Sequence, residues 1–245
     1  MKEDLIQYTL HLADNALILG QRNSEWCGHG PVLEQDIAIT NISLDLIGQA
    51  RNFYQYAAEL KADGSTEDSL AYLRTEREFK NCLLAEQPNG DWAQTILRQF
   101  LFSNYQYLLY QQLQTRKDNP LAAIAEKSLK EVTYHLRWSS EWVIRLGDGT
   151  TESHQRISNA VDELWRYTGE LFIPAGYEKE AGIDTSILKE PWLNKVKEIF
   201  DEATLSVPSK TFMQEGGKQG RHTEQLGYIL TELQYLQRTY PGCEW

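Results

Sequence analysis

Residues 120–146 read PLAAIAEKSLKEVTYHLRWSSEWVIRL. Apolar side chains fall at Ile124, Leu129, Val132, Leu136, Val143 and Leu146, the three-and-four spacing that lines one face of an α-helix. His135 borders that stripe, and the residue three before it is Val132 rather than a carboxylate. Positions i and i+3 share a helix face, so this segment offers no Asp/Glu–imidazole pair at the tightest spacing.

Outward from this helix the same periodicity recurs over about 3–22, 33–60, 66–86, 92–114, 151–172, 191–204 and 222–239, and no alternation of period two persists. Gly28-His29-Gly30-Pro31, Gln87-Pro88-Asn89-Gly90, Asn119-Pro120, Gly147-Asp148-Gly149 and Pro241-Gly242 punctuate the helices. Asp91 and Thr150 or Thr151 stand where N-caps belong. The segment 33–60 is apolar over much of its circumference, with Ile37, Ala38, Ile42, Leu44, Leu46, Ile47 and Phe53, which predicts a central helix. The first helix carries Leu5, Tyr8, Leu12 and Ala16 on one face. No repeat or linker divides the chain. The expectation is one all-α domain over 1–245, a helical bundle with additional helices, its long members being the second, fourth, fifth and sixth helices, or the third in place of one.

Bulk properties narrow the function. Length 245, 41% hydrophobic and 24% charged residues describe an ordinary globular chain able to bury a large core. A formal net charge of −11 disfavours nucleic acid or an anionic membrane surface as main partner. Cys27, Cys82 and Cys243 share no CxxC spacing, so reduced thiols in a cytoplasm are expected rather than a disulfide framework or zinc site. The apolar run Ala16–Leu19 is too short for a signal peptide, and no stretch approaches the roughly 18 apolar residues that span a bilayer.

Long carboxylate-rich helices are the scaffold of ferritin-like di-iron bundles, in which two helices each contribute a Glu-x-x-His step. Here Tyr8, Trp26, Val132, Thr151 and Gln219 precede His11, His29, His135, His154 and His222 by three, so no such step exists. A non-catalytic relative is therefore favoured over an oxygenase. Glu131 and His135, four apart, read either as a remnant metal half-site or as a core-edge histidine with its partner. Asn41, Asp45, Gln49 and Asn52 recur through the second helix, and the row reads either as the lining of a bundle interior, where a di-iron protein keeps a carboxylate, or equally as the wetter face of a packed helix. Arg51, Arg74, Arg77, Arg98, Arg137, Arg145 and Arg166 read by default as members of interhelical ion pairs. Gly216-Gly217-Lys218-Gln219-Gly220-Arg221-His222 sets glycines and cationic side chains before a helix N-terminus, which suits an anion, although it lacks P-loop spacing. A flexible basic connector is the equal alternative. The fourth helix carries Trp92, Phe100, Phe102, Tyr105, Tyr107 and Tyr110, enough either for a large core or for burial against another chain.

Several segments together resemble one family. They are Glu25-Trp26-Cys27-Gly28-His29 with Pro31 and Glu34, Leu44-Asp45-Leu46-Ile47-Gly48-Gln49-Ala50-Arg51-Asn52, and Glu86-Gln87-Pro88-Asn89-Gly90. Tyr134-His135-Leu136-Arg137, and Gly216-Gly217-Lys218 with His222-Thr223-Glu224, complete the set. Over essentially its whole length the chain resembles the PaaC family, the structural subunits of bacterial ring-1,2-phenylacetyl-CoA epoxidases. The resemblance implies a ferritin-like fold and no cofactor in this chain. It implies a catalytic di-iron sister subunit (PaaA-like), further oxygenase subunits, and a flavin and iron–sulfur reductase drawing on NADPH. The assembly it implies epoxidises the ring of phenylacetyl-CoA, and Lys218, Arg221 and His222 become candidate contacts for the CoA phosphates. The competing expectation is a metal-binding oxidoreductase with an atypical ligand set from Asp45, Glu76, Glu131 and His135.

Overall fold

The computed structural model describes residues 2–243. Eleven α-helices follow in order: α1 (Lys2–Ser24), α2 (Leu33–Lys61), α3 (Glu67–Tyr72), α4 (Leu83–Glu86), α5 (Trp92–Leu113), α6 (Asn119–Gly147), α7 (Thr151–Leu164), α8 (Gly176–Glu180), α9 (Lys189–Glu202), α10 (Glu224–Leu233) and α11 (Tyr235–Thr239). Short 3-10 turns connect several of them, and there is no strand among the described residues. The chain divides into two compact units. The first comprises 1–86, 175–183 and 216–245; the second comprises 87–174 and 184–215.

In the first unit α1 and α2 form an antiparallel pair. Ser43 Oγ donates to the Gly20 carbonyl at 2.6 Å and Tyr54 Oη to Asp14 Oδ1 at 2.6 Å, so the register runs 20 against 43 and 14 against 54. The expected order of burial is reversed. α1 is buried at every position from Tyr8 to Gly20, polar residues included. α2 buries Ile39, Ile42, Leu46, Phe53 and Ala57 but leaves Leu33, Ile37, Leu44 and Ile47 exposed. Those four lie at i, i+4, i+11 and i+14, one stripe along the helix away from its packed face.

The segment 66–86, expected as one long helix, is α3, a 3-10 turn at Glu76–Glu78, extended chain and α4. The cause lies on α1. Asp14 Oδ2 takes the Lys80 amide at 2.8 Å, Asn15 Oδ1 takes the Cys82 amide at 2.8 Å, and His11 Nδ1 meets the Lys80 carbonyl at 2.7 Å. Backbone groups that a helix would have paired internally satisfy buried side chains of α1 instead.

The second unit is built on α5 and α6, with α7 and α9 packed against them. Two of its ends are capped as the sequence indicates, Asp91 accepting from Gln94 N at 3.0 Å and Thr150 from Ser153 N at 3.1 Å, and Asp118 adds a third cap by accepting from Leu121 N at 3.0 Å. The sixth expected helix ends as an α-helix at Leu164 and reaches Phe172 only as 3-10 turns. Four of the six α5 aromatics, Phe100, Phe102, Tyr105 and Tyr110, are core, and Trp92 and Tyr107 are half-buried. Phe100 lies against Phe200, Phe102 against Tyr105 and Tyr105 against Phe172, and all five rings are buried. Trp165, Trp192 and Phe172 continue the cluster with ring centroids 5.1–5.7 Å apart.

Candidate functional site

The charged groups of the first unit converge below the surface. Asp14 takes Tyr54 Oη and both terminal nitrogens of Arg74, one of them at 3.1 Å, and the Arg74 guanidinium lies 4.2 Å from the Phe79 ring centroid. Burial works against the Arg74 cation, but Asp14 and the Tyr54 oxygen more than restore it and hold its pKa above the usual value. The Tyr54 hydroxyl is pushed well up, by burial first and then by the Asp14 charge.

Glu178 of α8 accepts the Ala175 amide at 2.7 Å and Lys218 Nζ at 2.9 Å on one oxygen, and His11 Nε2 lies 3.9 Å from the other. Burial drives the His11 pKa down to about 4, against the pull of the Glu178 charge. A neutral ring with Nδ1–H donating to Lys80 fits this, since Asn15 Nδ2 lies 3.1 Å from Nε2. Glu86 closes the network. Its Oε1 accepts the Thr223 amide at 2.7 Å and hydroxyl at 2.8 Å, and its Oε2 accepts Asn81 Nδ2 and His222 Nδ1, both at 2.8 Å. Arg22 donates to the Glu86 carbonyl from Nε and Nη2 at 3.1 Å each.

Asp14, Glu86 and Glu178 are thus buried, and each meets a cationic side chain of this chain: Arg74, His222 and Lys218. That donor chemistry does not fit a metal ion. No group of three or more His, Cys, Asp and Glu able to hold one occurs among the described residues. Asp45 is half-buried on α2 of the first unit; Glu76 is exposed beside α3. Glu131 is half-buried and His135 buried on α6 of the second unit, where Glu131 adds to the upward pull of burial on the Tyr110 hydroxyl.

The basic segment before α10 also differs from expectation. Lys218 is fully buried and the His222 side chain has no exposed surface. Arg221 alone of the three faces solvent. The glycines serve close approach: a Cβ at Gly217 would collide with the Asn81 carbonyl and one at Gly220, where φ is +75°, with that of Arg77. The sequence signal missed was the run of polar residues His11, Asp14 and Asn15 within α1, which marks what the cations are for. Of the arginines read as members of interhelical ion pairs, Arg74 meets Asp14 and Arg51 lies 3.5 Å from Glu67, whereas Arg145 pairs within its own helix with Glu141 at 3.9 Å. Arg98 instead braces the Gln87–Asn89 turn through the Gln87 carbonyl and Asn89 Oδ1.

Among the described residues the chain is all-helical, pairs Asp14, Glu86 and Glu178 internally, and carries an exposed aliphatic stripe on α2. Residues 1–245 match the family model described as phenylacetic acid catabolic protein, shared by PaaA and PaaC, and the chain belongs to that family, whose fold is ferritin-like. It is 49% identical over 246 residues to the C subunit of the 1,2-phenylacetyl-CoA epoxidase of Escherichia coli (strain K12), covering 98% of this chain and 99% of that protein. No helix among the described residues is long and apolar enough to cross a membrane.

Proposed function

We propose that this chain is the structural, non-catalytic member of a multicomponent di-iron monooxygenase that epoxidises the ring of phenylacetyl-CoA, and that it pairs with the catalytic sister subunit which carries the iron. The observation that supports this most is the stripe on α2. Val32, Leu33, Ile37, Leu44 and Ile47 are between 38% and 72% exposed on a helix whose other side is fully packed. Aliphatic side chains aligned at helical spacing and left in water mark an association surface, and aliphatic composition marks a lasting one. The name of the relative, a subunit of an epoxidase acting on 1,2-phenylacetyl-CoA, supports the substrate, and the family supports the pathway.

The mechanism of such a subunit is architectural. Covering the stripe removes apolar surface from water, at about 25 cal/mol per Å², and holds the catalytic chain in one conformation. The ion-paired core of the first unit keeps α2 rigid through α1. The test is co-purification of the catalytic sister subunit with wild type and with the doubly charged variant Ile37→Glu/Leu44→Glu. Wild type is expected to co-purify in fixed ratio, and the variant to fold alone but lose the partner. A variant that still binds at wild-type affinity would remove α2 as the contact face.

A further inference from the structure

The segment from Gly216 to Thr223 presents only Arg221 to solvent; it inserts Lys218 and His222 beneath the chain that runs from Arg77 to Leu83. Gly217 and Gly220 let backbone approach backbone, Lys218 plugs onto Glu178, and Tyr177 Oη donates to the Lys218 carbonyl at 3.2 Å. His222 is the last anchor before α10. Its Nδ1 is 2.8 Å from Glu86 Oε2 and its Nε2 is 2.9 Å from the Phe79 carbonyl.

Both of these partners are acceptors. The Phe79 carbonyl cannot donate, so Nε2 carries hydrogen toward it. The Glu86 oxygens receive Asn81 Nδ2 and the Thr223 amide and hydroxyl, and the remaining lone pair of Oε2 faces Nδ1, so a second proton joins that oxygen to the ring. We infer that residues 216–223 form a charge-latched strap, closed by the His222 imidazolium between Glu86 and the Phe79 carbonyl and opened when that proton is lost.

The electrostatics agree with the geometry. Burial alone disfavours the imidazolium, but the hydrogen bond and charge of Glu86, the Phe79 carbonyl and the more distant Asp14 together raise the His222 pKa above its ordinary value. The other charged groups around the latch are committed elsewhere. Arg74 is paired with Asp14 and Lys218 with Glu178; Arg22 binds the Glu86 carbonyl, and neutral His11 bonds to Lys80. Arg221 and Glu224 are exposed on the strap's outer side.

Opening the latch has a defined consequence. Thr223 is both a Glu86 ligand and the N-cap of α10, so loss of the imidazolium frees the start of that helix. Tyr228 on α10, and Tyr235 and Leu236 on α11, are 50–62% exposed, so the latch governs the order of an outward aromatic face. Nothing in this depends on which partner the chain takes.

Hydrogen exchange of the full-length chain, followed by mass spectrometry from pH 6 to pH 9 and normalised to a peptide within α5, tests the strap. Peptides spanning 214–230 are expected to lose protection as pH rises above the unfolded histidine value of about 6.5, by at least about fivefold at the upper end. His222→Gln is expected to expose the same peptides at every pH, and His222→Arg to keep them protected at pH 9. If wild-type protection over 214–230 stays constant across the range, or follows pH equally in α5, the latch is refuted. The wild-type profile decides the matter even where a variant does not fold.

Discussion

The two units of this chain set different chemistry into their apolar cores. The first is held by buried charge: Asp14 with Arg74, Glu86 with His222, Glu178 with Lys218, and neutral His11 among them. The second is held by rings, with Trp165, Trp192, Phe172, Phe100 and Phe200 in mutual contact and Trp92 set edge-on to Trp138 and Trp142. Ring packing is tolerant in direction and indifferent to pH. A charge network demands matched partners and penalises any loss, because each remaining group is left buried and unneutralised. The unit with the exacting core is also the one that bears the exposed stripe of α2, which fits a surface that must keep one shape for a partner.

The largest effect is expected in the ring core. Trp192→Ala removes contacts to Trp165 and Phe172 and the Nε1 hydrogen bond to the Leu101 carbonyl at 2.9 Å. It should cost towards the upper end of about 3–5 kcal/mol in urea unfolding, with the same loss at pH 5 and pH 8. Asp14→Ala should cost about 3–5 kcal/mol, since it strands the Arg74 guanidinium, and Asp14→Asn should recover part of it. A cost below about 1 kcal/mol for Asp14→Ala would mean that the network does not hold the unit, and the contrast would collapse.

The pH dependence sharpens the comparison. His11 has a folded pKa of about 4 against about 6.5 unfolded, so its contribution is present above pH 6.5 and lost as pH falls through 4. The shift corresponds to about 3 kcal/mol. His222 is displaced the other way, so its contribution is present below 6.5 and lost as pH rises through its folded value. Stability measured by chemical denaturation from pH 4 to pH 9 is therefore expected to peak near neutrality, and His11→Gln to flatten the acid limb. An unchanged acid limb in that variant would assign the loss to other groups.

Gly217→Ala should cost about 1–3 kcal/mol by crowding the Asn81 carbonyl, read from thermal unfolding. The smallest effect belongs to the stripe: Leu44→Asp should leave the melting of the isolated chain within the equivalent of about 0.5 kcal/mol, because Leu44 is 62% exposed.

Periodicity and turn chemistry make the all-α class, most helix boundaries and the caps at Asp91 and Thr150 legible. Burial is not legible in the same way. α2 reads as central because Ile37, Leu44 and Ile47 fill out its circumference, yet those residues face outward, and a single chain's sequence does not distinguish a surface awaiting a partner from a core. α1 reads as a helix with one apolar face through Leu5, Tyr8, Leu12 and Ala16, whereas its His11, Asp14 and Asn15 are buried too, satisfied by Tyr54 and by residues 74–82. Lys218 and His222 likewise lie 40 and 136 residues from their carboxylates, so their local glycine-rich setting reads as an anion cradle. Glu131 and His135 share one helix, as their spacing indicates, and the fold adds no third ligand among the described residues.

The central claim, that this chain is a metal-free scaffold for a catalytic partner, is tested most directly by iron analysis with light scattering on the chain alone and on its complex with the catalytic sister subunit. Less than about 0.1 iron per isolated chain is expected, because the buried Asp14, Glu86 and Glu178 already meet cationic side chains, with iron entering the complex only with the partner. Stoichiometric iron bound by the isolated chain would contradict the claim.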